Sequence, residues 1–122
     1  MMLLDSCIII DLLRGRTTAI EYVANLAEAP AVSVITVTEI LAGCRVKTEY
    51  KNIQRLLEVY VIMDVNRDIA ELAGSYVKKY GPSHNVDPMD ALIAATASSH
   101  KAEFATLNLK HFPMLDNLAR PY

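Results

Sequence analysis

The sequence predicts an α/β fold: a central, mainly parallel sheet of four to five strands flanked by helices, in one domain spanning residues 1–122. Three observations carry the fold class. Short β-branched runs alternate with longer stretches of helical periodicity along the chain. Strands separated by helices pair in parallel through crossovers. No linker, repeat or low-complexity tract interrupts the alternation. A chain of 122 residues buries roughly two-thirds of its unfolded surface, enough for a core without staples.

The elements follow in order. Residues 1–5 read as a buried strand and 6–14 as a helix stopped by Gly15. Thr17 or Thr18 caps a second helix reaching about residue 29, where Pro30 ends it. Residues 31–35 form the second strand and 37–44 a helix; 47–59 is an amphipathic helix with Ile53, Leu56, Leu57 and Tyr60 on one face. A third strand covers 60–64, and a helix over 68–80 ends at Gly81, leaving 82–86 as loop. Residues 89–99 are an alanine-rich helix and 103–107 the fourth strand.

Composition narrows the function classes. Apolar residues make up 52% and charged residues 21% of the chain, ordinary for a globular domain. No apolar run approaches the roughly 20 residues that cross a bilayer. The apolar N-terminus carries Asp5 and Asp11 and lacks a basic leader, which argues against a signal peptide. Cys7 and Cys44 match no metal-ligand spacing and read as buried thiols of a cytoplasmic protein. The net charge of −2 does not announce a nucleic-acid binder. Any RNA contact falls to local clusters, Arg14/Arg16 or Arg45/Lys47/Lys51, or to a bound metal.

Four polar residues share one kind of position. Asp5 ends the first strand, Glu39 and Asp90 lie in the first turns of their helices, and Asn108 follows the fourth strand. In open parallel sheets, ligands bind beyond the carboxyl ends of the strands. Carboxylates meeting there repel unless a cation neutralises them, and Mg²⁺ or Mn²⁺ prefers such oxygen ligands. The three histidines show no ligand spacing and read as surface or capping residues. Each acid also has a purely architectural reading. Thr36 and Glu39 have the spacing of a capping box, Asp87 and Asp90 bracket a helix start around Pro88, and Asp5 can cap the first helix. From spacing alone, both readings stay open.

The motifs go further. Leu3-Leu4-Asp5-Ser6 with Ile9, Leu12 and Leu13 resembles the opening motif of PIN-domain nucleases. The stretch from Ser33 to Gly43 is similar to the segment carrying that family's second acid. Asp90-Ala91-Leu92-Ile93-Ala94-Ala95 is similar to the segment carrying its third, and Thr106-Leu107-Asn108 with His111-Phe112 to its final motif. The resemblance covers nearly the whole chain, and its short single-domain form resembles the VapC-type toxins of toxin–antitoxin pairs. It implies a Mg²⁺- or Mn²⁺-dependent endoribonuclease with Asp5, Glu39 and Asp90 as metal ligands, hydrolysing RNA without a covalent intermediate. It also implies a homodimer silenced by a VapB-type antitoxin. Tyr22, Leu26, Ile53, Leu57, Tyr60 and Tyr76, on helices that one small sheet does not fully cover, fit a dimer. Asn108 departs from the family pattern, where many members place an acid, and this puts a second metal in doubt. Asp87 reads as a cap, and Ser6 either as a cap or as a hydroxyl orienting water.

Two alternatives remain at this stage. Val61-Ile62-Met63-Asp64 looks like the phospho-acceptor strand of a receiver domain, but a single acid ends the first strand and no Lys-Pro follows a later one. A catalytically silent PIN-like binding module is the other, suggested by Asn108.

Overall fold

The computed structural model describes residues 1–116 and 118–122. Five strands, β1 (Met2–Leu4), β2 (Ala31–Ser33), β3 (Val61–Met63), β4 (Glu103–Ala105) and β5 (Leu118–Ala119), form one sheet in the order β3-β2-β1-β4-β5. Every pairing is parallel. Six helices accompany them: α1 (Ser6–Leu13), α2 (Thr17–Ala24), α3 (Val34–Ala42), α4 (Lys47–Val59), α5 (Arg67–His84) and α6 (Pro88–Ser99). The α/β expectation holds, with five strands and a wholly parallel sheet.

Alternation along β1 divides the core between the two faces of the sheet. Leu3 joins Met63, Ile93, Phe104 and Phe112 on one side. Leu4 joins Ile8, Ile9, Val32, Ile40 and Ile53 on the other. A third cluster locks α5 to α6 through Ile69, Ala73, Val86, Ala91 and Ala95, where small side chains let the two helices approach closely. Phe104 and Phe112 stack edge to face at 4.7 Å, anchoring the loop that leaves β4.

Several boundaries differ from the sequence expectation, the fourth strand for one ending at Ala105 rather than 107, and three have a local cause. The second helix stops at Ala24 rather than near residue 29, with the Asn25 N–H closing its last turn, and Arg16 rather than a threonine stands at its start without a side-chain cap. The second strand ends at Ser33, two residues early, because the Ser33 hydroxyl accepts the Ile35 N–H and starts α3 there. The β-branched run from Val34 to Thr38 then lies in a helix. Its propensity penalty of a few tenths of a kcal/mol per residue is outweighed by packing, with Thr36 and Ile40 buried. The fifth helix runs through Gly81 and Pro82 and ends at Asn85, whose left-handed backbone (φ 52°) directs its N–H to the Gly81 carbonyl at 2.8 Å. Proline removes one helical donor, yet the turn beyond it closes.

The apolar residues expected to lie uncovered are largely spent within the chain. Ile53 is 3% exposed, Tyr22, Leu57 and Tyr60 pack on the Leu4 cluster, and Tyr76 packs on the other two. The exposed large apolar side chains include Val46, Tyr50, Val59 and Val61, in and around α4. Among the described residues no helix is long and apolar enough to cross a membrane. Cys7 and Cys44 are free thiols, half-buried rather than buried.

Candidate active site

The strand order puts a topological switch point at β1, between β2 on one side and β4 on the other. The crevice beyond the carboxyl ends of such strands is where open α/β sheets hold ligands. Asp5 stands there, directly after β1, and is 4% exposed. Its backbone N–H donates to the Ala105 carbonyl at 3.0 Å, extending the β1–β4 ladder by one step. Its Oδ1 accepts the Ser6 N–H at 2.8 Å, so Asp5 does cap α1. Its Oδ2 accepts the Thr106 hydroxyl at 2.7 Å and faces the Cys7 thiol at 3.6 Å. Asp5 is therefore cap and site residue at once. Ser6, half-buried, supplies the capped N–H.

Thr106 is a residue that sequence reasoning missed as a site component. It is fully buried one position past β4, and its Oγ1 accepts the Asn108 N–H at 3.0 Å while donating to Asp5. Only the register reveals it: pairing of Leu4 with Ala105 makes Asp5 and Thr106 the next neighbours across the two strands.

Glu39 reaches the same crevice from α3. Since that helix begins at Val34, Glu39 lies in the second turn, too far along to reach back to the cap. The capping-box reading of Thr36 and Glu39 fails for that reason. The Thr36 hydroxyl and Glu39 Oε1 are both sealed from solvent without a hydrogen-bond partner among the described residues. An unpaired buried carboxylate oxygen is costly. Burial pushes the Glu39 carboxyl above its ordinary range, and Asp5, Asp90 and Asp87 push it further the same way.

Asp90 comes from the first turn of α6, which Asp87 caps by accepting the Met89 N–H at 2.7 Å. The capping reading of Asp87 holds. Asp90 makes no reciprocal bond to the cap; its Oδ2 lies 3.6 Å from His111 Nδ1. Its carboxyl is raised first by burial, then by Asp5 and Asp87, with His111 opposing. His111 was expected to be a surface or capping residue; it is exposed, but the turn after β4 (Leu109–His111) sets it beside Asp90. Asn108 lies in the same turn, exposed, and contributes its backbone N–H to Thr106.

Asp5, Glu39 and Asp90, 34 and 51 positions apart in sequence (39 − 5 and 90 − 39), thus meet within electrostatic reach of one another. Among the described residues no group of three or more His, Cys, Asp or Glu side chains is already drawn together as metal ligands. The donor set is nonetheless all oxygen, mutually repelling, and includes an orphaned oxygen, which suits a hard divalent cation. Asp64 ends the edge strand β3, exposed, two strands away from β1.

A family model described as PIN domain matches residues 2–116. The chain belongs to the PIN-domain family. The receiver-like alternative built on Asp64 falls with that match. Two relatives of this PIN domain are ribonuclease VapC19 of Mycobacterium tuberculosis, 37% identical over 100% of both chains, and ribonuclease VapC10 of the same organism, 36% identical over 100% of this chain and 93% of that one. A toxin–antitoxin complex from Klebsiella pneumoniae contains a chain of the same fold, with a TM-score of 0.87 and 29% identity, matched over 100% of this PIN domain and 98% of its own length.

Proposed function

We propose that this chain is, as a single PIN domain, a Mg²⁺- or Mn²⁺-dependent endoribonuclease and the toxin of a VapBC-type pair, acting on RNA in the cytoplasm. The observation that carries this reading is the meeting of Asp5, Glu39 and Asp90 at the switch point, with one Glu39 oxygen buried and unpaired. Its relatives are ribonucleases by name, and the Klebsiella neighbour is part of a toxin–antitoxin complex, which supports a VapB-type antitoxin as partner. A homodimer is part of the same reading.

Asp5, Glu39 and Asp90 would hold the cation. When bound, the cation supplies a Lewis-acidic centre that acidifies water and offsets charge on phosphate oxygens. The chain's own part is positioning. Thr106 and the Ser6 N–H fix both Asp5 oxygens, so that its carboxylate presents one orientation to the crevice. Glu39 and Asp90 bring two acids into a half-buried site where burial and their acidic neighbours raise both carboxyls, and a bound cation would oppose that shift. Asn108, in the motif position where many relatives place an acid, contributes a neutral amide and weakens a second cation site.

The test is cleavage of RNA by purified protein with Mn²⁺ or Mg²⁺ and its arrest by EDTA. Asp5→Asn and Asp90→Asn each abolish cleavage while the protein stays folded. Either variant cutting at the wild-type rate removes that residue from the site, since a purely architectural role predicts intact activity and, asparagine being as good a cap as aspartate, little change in stability. The exposed Asn108 favours a second reading, a silent RNA-binding PIN module, which predicts metal-independent binding without any cleavage.

A further inference from the structure

A cavity of about 390 Å³ opens between α1, α3 and α4, with Glu39 in its wall. Its floor is apolar: Ile40 and Ile53 are buried, and Ile10 and Leu13 are half-buried. Its rim is polar and exposed, formed by Arg14 from the end of α1, Arg45 before α4, and Asn52 within α4. Glu49 also lines it, but its Oε2 is committed to the Arg45 N–H at 2.8 Å.

The arginines are the informative part. Two basic clusters stood out in the sequence, and the fold selects one residue from each. Arg16 is tied down, its Nη1 3.2 Å from Asp11 and its guanidinium 5.2 Å from the Tyr122 ring centre. Arg14 and Arg45 share the cavity mouth instead, and neither guanidinium makes an ion pair or hydrogen bond among the described residues. Two free, planar, forked cations beside an acidic crevice suit an anion with a planar apolar neighbour.

We infer that this cavity is a nucleotide subsite, in which one unstacked base of single-stranded RNA lies on the apolar floor beside the cleavage centre while Arg14 and Arg45 hold its flanking phosphates. The inference rests on the nuclease reading for its RNA substrate and adds where the strand is gripped. Base faces are apolar and match Ile10, Leu13, Ile40 and Ile53. Base edges need both a donor and an acceptor, and the Asn52 amide offers both. Single-stranded RNA is recognised in this way, by splayed bases packed against side chains and read on their edges. The cavity lies within the size range of small-ligand sites, roughly 300–1,000 Å³. Because Glu39 borders it, the base it holds belongs to a nucleotide next to the scissile bond, which makes the cavity a determinant of sequence preference.

The experiment measures binding of fluorescein-labelled, mixed-sequence single-stranded RNA octamers by anisotropy, in EDTA and across a salt series. The double variant Arg14→Ala/Arg45→Ala binds roughly tenfold more weakly, and its log K against log salt slope is shallower by about 1.4, or 0.7 per lost phosphate contact on a single strand. Gly43→Leu fills the cavity instead. Gly43 lines it, has an ordinary φ of −83°, and a Cβ there meets nothing nearer than 3.7 Å, so the helix end is not strained. That variant also binds more weakly but keeps the wild-type salt slope, because it removes base contacts and not phosphate contacts. Arg16→Ala binds as wild type. Octamer binding unchanged in both cavity variants, or no binding by the wild type, overturns the inference. Metal-dependent cleavage is scored separately: RNA held through this cavity but never cut sinks the nuclease reading alone, and cleavage with unaltered site preference in Gly43→Leu sinks the subsite alone.

Discussion

Replacing Thr106 by valine isolates the hydrogen bond that orients Asp5. The hydroxyl is fully buried, donates to Asp5 Oδ2 at 2.7 Å and accepts the Asn108 N–H at 3.0 Å. Valine has nearly the same shape, so no cavity forms and the change is one of polarity. A hydrogen bond to an ionised carboxylate contributes about 1.5–3 kcal/mol, and stranding the partly buried Asn108 N–H adds about 1 kcal/mol. The extra methyl buried in place of a hydroxyl recovers part of this, leaving a net loss of roughly 2–3 kcal/mol. For a domain of this size, melting falls by roughly 8–12 °C. Thr106→Ser keeps the hydroxyl and loses one methyl, about 1 kcal/mol. The order of stability is therefore wild type, then serine, then valine. Thermal denaturation followed by circular dichroism reads it directly. Turnover follows the same order, because an untethered Asp5 samples orientations that face away from the crevice. If valine melts at or above serine, Thr106 is packing and not a tether, and the account of Asp5 orientation is wrong.

Three further outcomes follow from the same geometry. Glu39→Gln removes one of the repelling charges, so the metal-free protein melts higher than wild type at neutral pH while Mn²⁺ titration calorimetry finds weaker binding; a lower melting point contradicts the repulsion. The carboxyls of Glu39 and Asp90 are raised by burial and by their acidic neighbours, so the folded state binds protons more tightly than the unfolded chain. Their contribution to metal-free stability is fully present below the unfolded carboxyl values, about 4, and is lost as pH rises through the raised folded values. Stabilisation by Mn²⁺ therefore grows across that window, and an equal melting shift at pH 4 and pH 7.5 would falsify the linkage. Asn108→Asp tightens Mn²⁺ binding and lowers the metal concentration for half-maximal cleavage; unchanged affinity and stoichiometry rule out Asn108 as the weak point.

The alternation of strands and helices was legible because each element is short and ends on a strong signal. Gly15 marks the end of α1 with φ +75°, and Asp87 with Pro88 marks the start of α6. The failures fall where tertiary packing overrides a local preference. Val34 to Thr38 favour strand by side-chain type, yet burial of Thr36 and Ile40 keeps them helical. Gly81 and Pro82 punctuate the sequence like a loop, yet α5 continues, with Val77 and Tyr80 packed on the cluster it shares with α6 and Val86 buried just beyond its end. The acids were legible as candidates from their place after strands and at helix starts. Thr106 and His111 were not, since the register that sets Thr106 beside Asp5 and the turn that sets His111 beside Asp90 belong to the folded chain and leave no spacing signal.

The three-residue shift at the start of α3 decides how Glu39 is to be understood. With the helix starting near Val37, Glu39 would be a capping residue whose charge is satisfied by a backbone N–H. With the helix starting at Val34, the same side chain is carried one turn on, loses any reach to the cap, and is left with a sealed oxygen facing Asp5 and Asp90. Nothing in the described residues compensates that oxygen, so the local arrangement lowers the stability of the metal-free domain. Strain of this kind persists where the surrounding structure over-determines it and where function uses it. Here the over-determination is visible in the Ser33 cap and the buried faces of Thr36 and Ile40, which fix the helix without any contribution from Glu39. The acid is free of structural duty among the described residues, and under the proposed function its missing partner is a bound cation or, in an inhibited complex, a basic side chain of the partner.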